Sequence, residues 1–343
     1  RVSQCFCRGR GCAPARRDRG PAATAAAVGL AAASAAGLAV LSLAQSCEPP
    51  AAGVPPLPPG LPPSLRGARC VVTGASAGLG LEVARGLAQR GGDVTLACRD
   101  LGRCARARED ILASLNKRSG ASAAANVGGG NCECSHLELT EANSVRVFAR
   151  GLRDQLGANQ PLLLVLNAGV MGVPVSSEGP GAGGRNDGHL WPNHYGHFLL
   201  TQLLLPVLQP GSRVVVVASR AHFQGAVRVG VDGLIDPVCG GGHWYRRYAR
   251  SKLCNVLFTS ELRRHLPEGT SAVAVSPGRV ATGIFQSLEG PLAGPILRWL
   301  APHLFLSPEE GAAAVLHGAL VAEPATSIYW HRGHPQRPSL LAR

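Results

Sequence analysis

The stretch that decides the fold is RCVVTGASAGLGLEVARGLAQR, at residues 69–90. It opens with a short apolar run, turns through Gly74, Gly78 and Gly80, and continues with helical spacing. Glycines at such a turn permit unusual backbone angles, and the following helix N-terminus offers free N–H groups to a phosphate. An ordinary glycine-rich turn is the alternative, but the strand–turn–helix context favours a dinucleotide-binding site.

The alternation of strand and helix continues through residues 66–343. Apolar runs rich in Val, Leu and Ala predict strands buried on both faces at 69–73, 93–98, 162–167, 213–218 and 271–275, with a further strand at 132–139. Helical spacing is found between them, at 79–90, 104–116, 141–155, 194–208, 247–265 and 308–321. These repeated units predict a single α/β domain, a Rossmann-like, doubly wound parallel sheet with helices on both faces.

Three further segments precede this domain. Residues 1–20 are a basic tail, residues 21–47 carry no charged side chain, and residues 48–65 contain eight prolines. The uncharged, hydrophobic segment is long enough to cross a bilayer as a helix, which predicts a membrane anchor or a signal. A disordered alanine-rich leader is the alternative. The prolines predict a stiff linker between this segment and the domain.

Composition and charge exclude two other classes of protein. A chain of 343 residues, 45% of them hydrophobic, buries a sizeable core and is not a disulfide-held miniprotein. The net charge of +13 comes mainly from arginine, since Lys117 and Lys252 are its only lysines. Because the charges are scattered rather than gathered in a stripe with aromatic residues, we expect no nucleic-acid partner.

The eleven cysteines point to buried thiols rather than to a metal site. Cys70, Cys98 and Cys254 lie inside apolar segments, where single thiols act as small hydrophobic side chains and suit a reducing compartment. Cys132 and Cys134 are too close in sequence for the usual zinc pair, and no matching His/Cys pair follows. We therefore expect no metal.

A tyrosine and a lysine are spaced for acid–base chemistry. Tyr248 and Lys252 are four residues apart, so they share one face of a helix. A nearby ammonium favours the phenolate, and we expect it to lower the pKa of Tyr248 toward a useful range. Tyr245 is a competing base, but Ala249 replaces the lysine that it would need. Ser219 ends the apolar run VVVVAS, where its hydroxyl would hold a substrate oxygen; a plain turn serine is the alternative.

Five motifs occur in the order typical of one superfamily: TGxxxGxG at 73–80, NAG at 167–169, Ser219, YARSK at 248–252 and PG at 277–278. With them the sequence resembles the short-chain dehydrogenase/reductase superfamily over residues 67–330. The resemblance implies an NAD(P)-dependent alcohol dehydrogenase or carbonyl reductase.

The same resemblance implies four catalytic residues. Tyr248 transfers the proton, Lys252 assists it and holds the ribose, and Ser219 steadies the substrate oxygen. Asn193 holds a water that links the lysine to solvent. Pro192 departs from the family pattern, so the helix could begin at a different point; a displaced Asn193 is the alternative to this role.

Cofactor preference depends on the end of the second predicted strand. Arg99 stands where an acidic residue would accept the ribose hydroxyl of NAD, and its charge favours NADP. A solvated Arg99 beside a ribose-binding Asp100 is the alternative. By resemblance, the cofactor-binding residues are Gly74, Ser76, Gly78, Leu79, Gly80, Arg99, Glu138, Asn167, Ala168, Gly169, Tyr248, Lys252, Pro277, Gly278 and Thr282.

Within the superfamily, the sequence resembles the retinol dehydrogenase branch. The resemblance lies in ACRD at 97–100, NAGVM at 167–171, NHYGHFLLT at 193–201, ASRAH at 218–222 and SKLCNVLFTSEL at 251–262. That branch contains membrane-anchored enzymes that act on retinoids, steroids and other lipid alcohols. NAGVMGVP and the Pro-rich stretch are also similar to an X-linked member of the superfamily that oxidises polyprenols.

The branch implies a lipophilic substrate and a membrane location, at the endoplasmic reticulum rather than outside the cell. Residues 284–306 are apolar and long, which predicts a lid over the substrate; an amphipathic core helix is the alternative. A homodimer along the helix that carries Tyr248 is a further expectation. A membrane-tethered nucleotide-binding protein with little or no turnover is the alternative function.

Overall fold

A computed structural model of the chain describes residues 54–55, 65–119, 130–173, 188–229, 243–280 and 305–340. The strands in these ranges are β1 (Arg69–Thr73), β2 (Asp93–Cys98), β3 (Cys132–His136), β4 (Leu162–Leu166), β5 (Arg213–Val217), β6 (Ser271–Ser276), β7 (Tyr329–His331) and β8 (His334–Gln336). They form one sheet in the order β3-β2-β1-β4-β5-β6-β7-β8. Strands β1 to β7 are parallel, and β8 returns antiparallel to β7.

The helices that connect the strands are α1 (Gly78–Ala88), α2 (Leu101–Ser119), α3 (Ala142–Gln155), α4 (Gly196–Leu204), α5 (Trp244–His265) and α6 (Pro308–Leu320). A π-helical turn, Trp191–Tyr195, precedes α4, and short 3₁₀ segments cover Leu205–Val207 and Arg220–Gln224. The predicted single-domain, Rossmann-like α/β fold is confirmed. The helix predicted at 194–208 differs in detail, because it begins earlier as the π-helical turn and ends as 3₁₀.

The central strands send alternate side chains to two apolar layers. Val72 packs in the layer that contains α1, α2 and α6, whereas its neighbour Val71 packs in the layer that contains α3, α4 and α5. Because both faces are covered, the strands have the continuous apolar sequence of a buried parallel sheet. Each fully buried valine or leucine contributes about 1.5–3 kcal/mol, so these two layers are the main source of stability.

The strand order creates a crevice at the carboxyl edge of the sheet. The chain runs outward from β1 through β2 to β3 and then crosses back to β4 on the other side of β1. Loops that leave β1 and β4 therefore go to opposite faces and part above the sheet, which is where α/β proteins bind ligands.

Cysteines in the described part of the chain take two forms. Cys104 on α2 and Cys134 on β3 form a disulfide with a Cα–Cα distance of 6.0 Å. No sequence signal predicts this pair, because 30 positions separate the two residues and only packing of α2 on the edge strand brings them together. Buried free thiols are found at Cys70, Cys98, Cys132 and Cys254.

Several predictions concern residues outside the described ranges. These are the basic tail at 1–20, the anchor or signal at 21–47, most of the linker at 48–65, Thr282, and most of the lid at 284–306. In the ranges that are described, no helix combines the length and the apolar character that crossing a bilayer requires.

Candidate active site

The turn after β1 takes its shape from its glycines. Gly74 and Gly78 have φ values of +67° and +54°, in the left-handed region that favours glycine. A Cβ on Gly80 would lie 2.4 Å from the carbonyl oxygen of Gly74 and 2.5 Å from the Asn167 amide nitrogen. No side chain caps the N-terminus of α1, and its first turn contains no acidic residue. The positive end of this helix therefore suits an anion such as a pyrophosphate.

Thr73, the last residue of β1, joins this turn to the one that follows β4. Its hydroxyl accepts hydrogen bonds from the backbone N–H groups of Asn167 (2.9 Å) and Ala168 (3.0 Å). The Asn167 amide donates to the carbonyl oxygen of Thr73 at 2.9 Å. Gly74 lies so close to Ala168 that a Cβ on the glycine would be 2.9 Å from the Ala168 Cα. The two turns predicted to hold a dinucleotide are thus held as one unit.

The other predicted cofactor residues of the described chain follow β1 and β6. Ser76 lies half-buried between β1 and α1, and Leu79 is half-buried in the first turn of α1. Pro277 and Gly278 directly follow β6, and Gly278 has a φ of +98°. Thr282 lies outside the described residues.

Arg99 and Glu138 lie side by side where β2 and β3 end. The Arg99 Nε is 3.7 Å from Glu138 Oε2, and the arginine side chain is 80% exposed. Glu138 is held more firmly, since its Oε1 accepts from both the N–H and the hydroxyl of Thr140, at 2.9 and 2.7 Å. Asp100 accepts from the backbone N–H of Arg103, and this bond lowers the pKa of Asp100. Because the Arg99 guanidinium is exposed and its ion pair with Glu138 is long, it is suited to pair with a phosphate group of a ligand.

Three predicted catalytic side chains meet at the carboxyl end of β5. The Lys252 Nζ lies 5.7 Å from the centre of the Tyr248 ring, one turn along α5. It donates a hydrogen bond to the carbonyl oxygen of Val217, the last residue of β5, at 3.0 Å. Ser219 follows two residues later; its Oγ accepts from the N–H of Ala221 at 3.2 Å, and its hydroxyl is hydrogen-bonded to Tyr248.

The expected lowering of the Tyr248 pKa is wrong for this structure. Tyr248 as a whole is half-buried, but protein surrounds its hydroxyl, and burial raises its pKa to about 12. The hydrogen bond from Ser219 opposes this rise without cancelling it. Burial also lowers the pKa of Lys252 to about 8. Removal from water is therefore the largest cause of both pKa shifts.

Asn193 lies in the π-helical turn, fully buried. Its Oδ1 accepts from the N–H of Val170 at 2.7 Å, and its Nδ2 donates to the Val170 carbonyl and to Ser251 Oγ, both at 3.0 Å. Ser251 Oγ in turn donates to the carbonyl oxygen of Tyr248 at 2.7 Å. The side chain of Asn193 thus connects the turn after β4 to the helix turn that carries Tyr248.

Gly169 allows Asn193 and Lys252 to approach one another. A Cβ on Gly169 would lie 3.2 Å from Asn193 Oδ1 and 3.6 Å from Lys252 Nζ. Pro192 occupies the second position of the π-helical turn, and the helical region begins at residue 191 rather than 194. The helix start is therefore shifted, as expected, while Asn193 still lies beside the turn at 167–169.

Three buried histidines lie next to predicted catalytic residues, and none of them has a role predicted from the sequence. His194 Nδ1 is 3.2 Å from Asn255 Oδ1, and His222 Nδ1 donates to the carbonyl oxygen of Ser219 at 2.8 Å. His197, one turn after Asn193, is the third. Burial lowers the pKa of all three, to about 4 for His194 and about 3 for His197. Two sequence signals could have identified them: each follows a predicted catalytic residue by one to four places, and each lies within the segments 193–201 or 218–222 that resemble the retinol dehydrogenase branch.

Together the doubly wound sheet, the glycine turn and the Tyr–Lys–Ser cluster define an oxidoreductase that uses a nicotinamide dinucleotide. Among the described residues, no group of three or more His, Cys, Asp or Glu side chains could hold a metal ion.

Comparison with known proteins agrees with this class. Residues 68–231 match the short chain dehydrogenase family. The chain is 36% identical over 266 residues to retinol dehydrogenase 11 of Mus musculus, covering 75% of this chain and 74% of the relative. It is 35% identical over 271 residues to retinol dehydrogenase 12 of Homo sapiens, covering 78% of each. It is 37% identical over 289 residues to human dehydrogenase/reductase SDR family member 13, covering 82% and 70%. The chain belongs to the short-chain dehydrogenase/reductase family and is related to the retinol dehydrogenases.

Solved structures share the fold. An uncharacterized protein from Mycobacterium paratuberculosis is 31% identical, with a TM-score of 0.57 over 82% of this chain and 88% of that one. RhlG of Pseudomonas aeruginosa, solved with NADP in its active site, is 23% identical, with a TM-score of 0.58 over 80% and 97%.

Proposed function

We propose that this chain is an NADP(H)-dependent oxidoreductase that interconverts an alcohol and its carbonyl on a lipophilic substrate, such as a retinoid, a steroid or a polyprenol. The observation that carries the proposal is the cluster of Tyr248, Lys252 and Ser219 on the same sheet edge as the glycine turn. The relatives named as retinol dehydrogenases 11 and 12 support the substrate class.

The proposed chemistry divides between the cofactor and the side chains. A nicotinamide dinucleotide, when bound, supplies or accepts the hydride. Tyr248 exchanges a proton with the substrate oxygen at its Oη, and Ser219 holds that oxygen by a hydrogen bond. A phenol whose pKa is raised to about 12 is protonated at neutral pH, which suits it to donate a proton in carbonyl reduction.

Lys252 is suited to hold the ribose. An ammonium has three N–H donors, and among the described residues one of them is used, toward Val217. The glycine turn would take the pyrophosphate, because the N-terminus of α1 has no side-chain cap and its first turn has no acidic residue. Arg99 would pair with the 2′-phosphate that distinguishes NADP from NAD.

The first experiment measures oxidation of NADPH and of NADH by the purified full chain in detergent micelles, with retinal, a steroid ketone and a polyprenal as substrates. Tyr248→Phe is the test variant, and Tyr245→Phe, one helix turn earlier, is its matched control. We expect turnover to fall at least about 1,000-fold in Tyr248→Phe, with NADPH affinity retained, and far less in Tyr245→Phe. Tight NADPH binding without turnover of any carbonyl would instead support a tethered nucleotide-binding protein.

The cofactor preference has its own test. Arg99→Glu reverses the charge beside the predicted phosphate site, whereas Arg153→Glu makes the same change at the far end of α3, where the helix has run back to the opposite sheet edge. We expect the dissociation constant of NADPH to rise at least about tenfold in Arg99→Glu while that of NADH changes little. An equal change in the two cofactors, or in the two variants, would refute the assignment.

The proposal extends to location and assembly. We propose that residues 21–47 hold the chain at the endoplasmic reticulum membrane, in agreement with their length and lack of charge. Removal of residues 1–47 should release the protein from microsomes that retain the full chain after carbonate washing.

A homodimer along α5 stays a prediction, and light scattering of the purified chain decides it.

A further inference from the structure

His197 on α4 lies between two halves of the site. The side chain is 2% exposed. Its Nε2 is 2.9 Å from the hydroxyl of Thr73 at the end of β1. Its Nδ1 is 3.3 Å from the backbone carbonyl oxygen of Asn193, one turn earlier.

The hydrogen-bond partners determine where the ring proton lies. A carbonyl oxygen only accepts, so Nδ1 carries the proton and donates to Asn193. Burial lowers the pKa of His197 to about 3, against the effect of the Asn193 bond, so the ring is neutral and its Nε2 is an acceptor. Thr73 therefore donates its hydroxyl proton to Nε2; the Val165 carbonyl, 3.4 Å away, is the weaker acceptor for that proton.

The Thr73 hydroxyl is then fully used. It accepts from the N–H groups of Asn167 and Ala168, which belong to the turn after β4, and it donates to His197. A single hydroxyl has two acceptor sites and one donor, and each has a partner. One chain of hydrogen bonds therefore runs from this turn through Thr73 and His197 to the carbonyl of Asn193.

We propose that His197 is a positioning residue, which fixes the turn at residues 167–168 relative to the backbone carbonyl of Asn193. His197 acts through Thr73 and Asn193 rather than on the substrate. The proposal rests on the proposed function and on two roles that the family resemblance implies: the turn at 167–169 holds the dinucleotide, and Asn193 serves the proton relay. Thr73 and His197 are 124 positions apart, so their bond joins elements that no local interaction links.

The test is a double-mutant cycle on the full chain in detergent micelles. His197→Gln removes the donor to Asn193, Thr73→Val removes the hydroxyl, and the double variant removes both. Thr73→Ser is the conservative variant that keeps the hydroxyl. His317→Gln is the matched control, because His317 is another buried histidine, on α6, packed against Trp330. Each variant is measured for its dissociation constant for NADPH by fluorescence, its kcat with saturating NADPH, and its melting temperature.

We expect His197→Gln to lose about tenfold or more in kcat and to bind NADPH more weakly, since small misplacements at a reaction centre are costly. In kcat and in NADPH affinity, the double variant should be no more than about threefold below the weaker single variant, because both changes break the same chain of hydrogen bonds. Thr73→Ser should retain most activity. The NADPH titration reports on this chain of hydrogen bonds whether or not a carbonyl is reduced. A wild-type protein without turnover would therefore refute the proposed function, while the cycle in NADPH affinity would still decide the role of His197.

Two results would overturn the proposal. One is a His197→Gln protein that melts lower, as His317→Gln does, but keeps its kcat and NADPH affinity, which would make His197 an ordinary core residue. The other is a double variant whose losses are the product of the single losses, which would mean that Thr73 and His197 act independently. Should His197→Gln fail to fold, His197→Asn takes its place in the same cycle with Thr73→Val.

Discussion

Replacement of Lys252 by methionine should stabilise the protein while it destroys the activity. Lys252 is 4% exposed, and burial lowers its pKa from 10.5 to about 8. A pKa difference of this size means that folding costs about 3 kcal/mol when Lys252 is charged in both the folded and the unfolded protein. Methionine has a similar length and no charge, but it loses the hydrogen bond to Val217, worth about 1 kcal/mol. We expect a net gain of about 2 kcal/mol at pH 7.

The pH dependence identifies the cause of this gain. Between pH 8 and 10.5 the unfolded chain holds a proton on Lys252 that the folded chain has released, so the stability of the wild type rises with pH in this window. The advantage of Lys252→Met is therefore complete below about pH 8 and shrinks by about 1.4 kcal/mol per pH unit above it. Below pH 8 the difference between the two proteins should be constant.

Urea unfolding of the cofactor-free full chain, followed by fluorescence from pH 6.5 to 9.5, measures this difference. Lys117→Met is the matched control, because Lys117 is the chain's other lysine and is exposed on α2. That variant should match the wild type within about 0.5 kcal/mol. A Lys252→Met protein that is less stable than the wild type at pH 7, or more stable by an amount that does not change above pH 8, would refute the reasoning.

Three further predictions follow from the site and the core. Gly80→Ala should weaken NADPH binding at least about tenfold in a fluorescence titration, because its Cβ would lie 2.4 Å from a backbone oxygen, while Gly151→Ala, with open space around it, should bind normally. Reduction of the Cys104–Cys134 disulfide, which spans 30 positions, should lower the free energy of unfolding by about 3 kcal/mol, and a Cys104→Ser/Cys134→Ser double variant should be insensitive to reductant. Initial rates between pH 6 and 10 should show alcohol oxidation becoming faster with rising pH and carbonyl reduction staying constant or becoming slower. Tyr248, whose pKa is raised to about 12, must be ionised for oxidation and protonated for reduction. The opposite trends would argue against Tyr248 as the proton-transfer group.

Much of the fold can be predicted from the sequence because the signals are local. A strand buried on both faces is a short apolar run, and the glycine turn lies within eight consecutive residues, 73–80. The i, i+4 spacing of Tyr248 and Lys252 likewise places both on one helix face without knowledge of the rest of the chain. These features depend on neighbours in sequence, and the structure agrees with them.

Other features depend on residues that are distant in sequence. The pKa of Tyr248 rises rather than falls because the packed sheet and helices remove its hydroxyl from water, and burial is not a property of the YARSK segment. Cys104 meets Cys134 only once α2 covers the edge strand β3. His197 meets Thr73 only once α4 crosses the end of β1.

The sequence by itself thus determined the class of fold, the position of the glycine turn and the identity of the tyrosine–lysine pair, since each is written in a few adjacent residues. The tertiary structure alone decided the direction of the pKa shifts, the disulfide and the link through His197. The physical reason is that desolvation and long-range hydrogen bonds are set by whichever atoms the packed chain brings together, and sequence spacing does not report these.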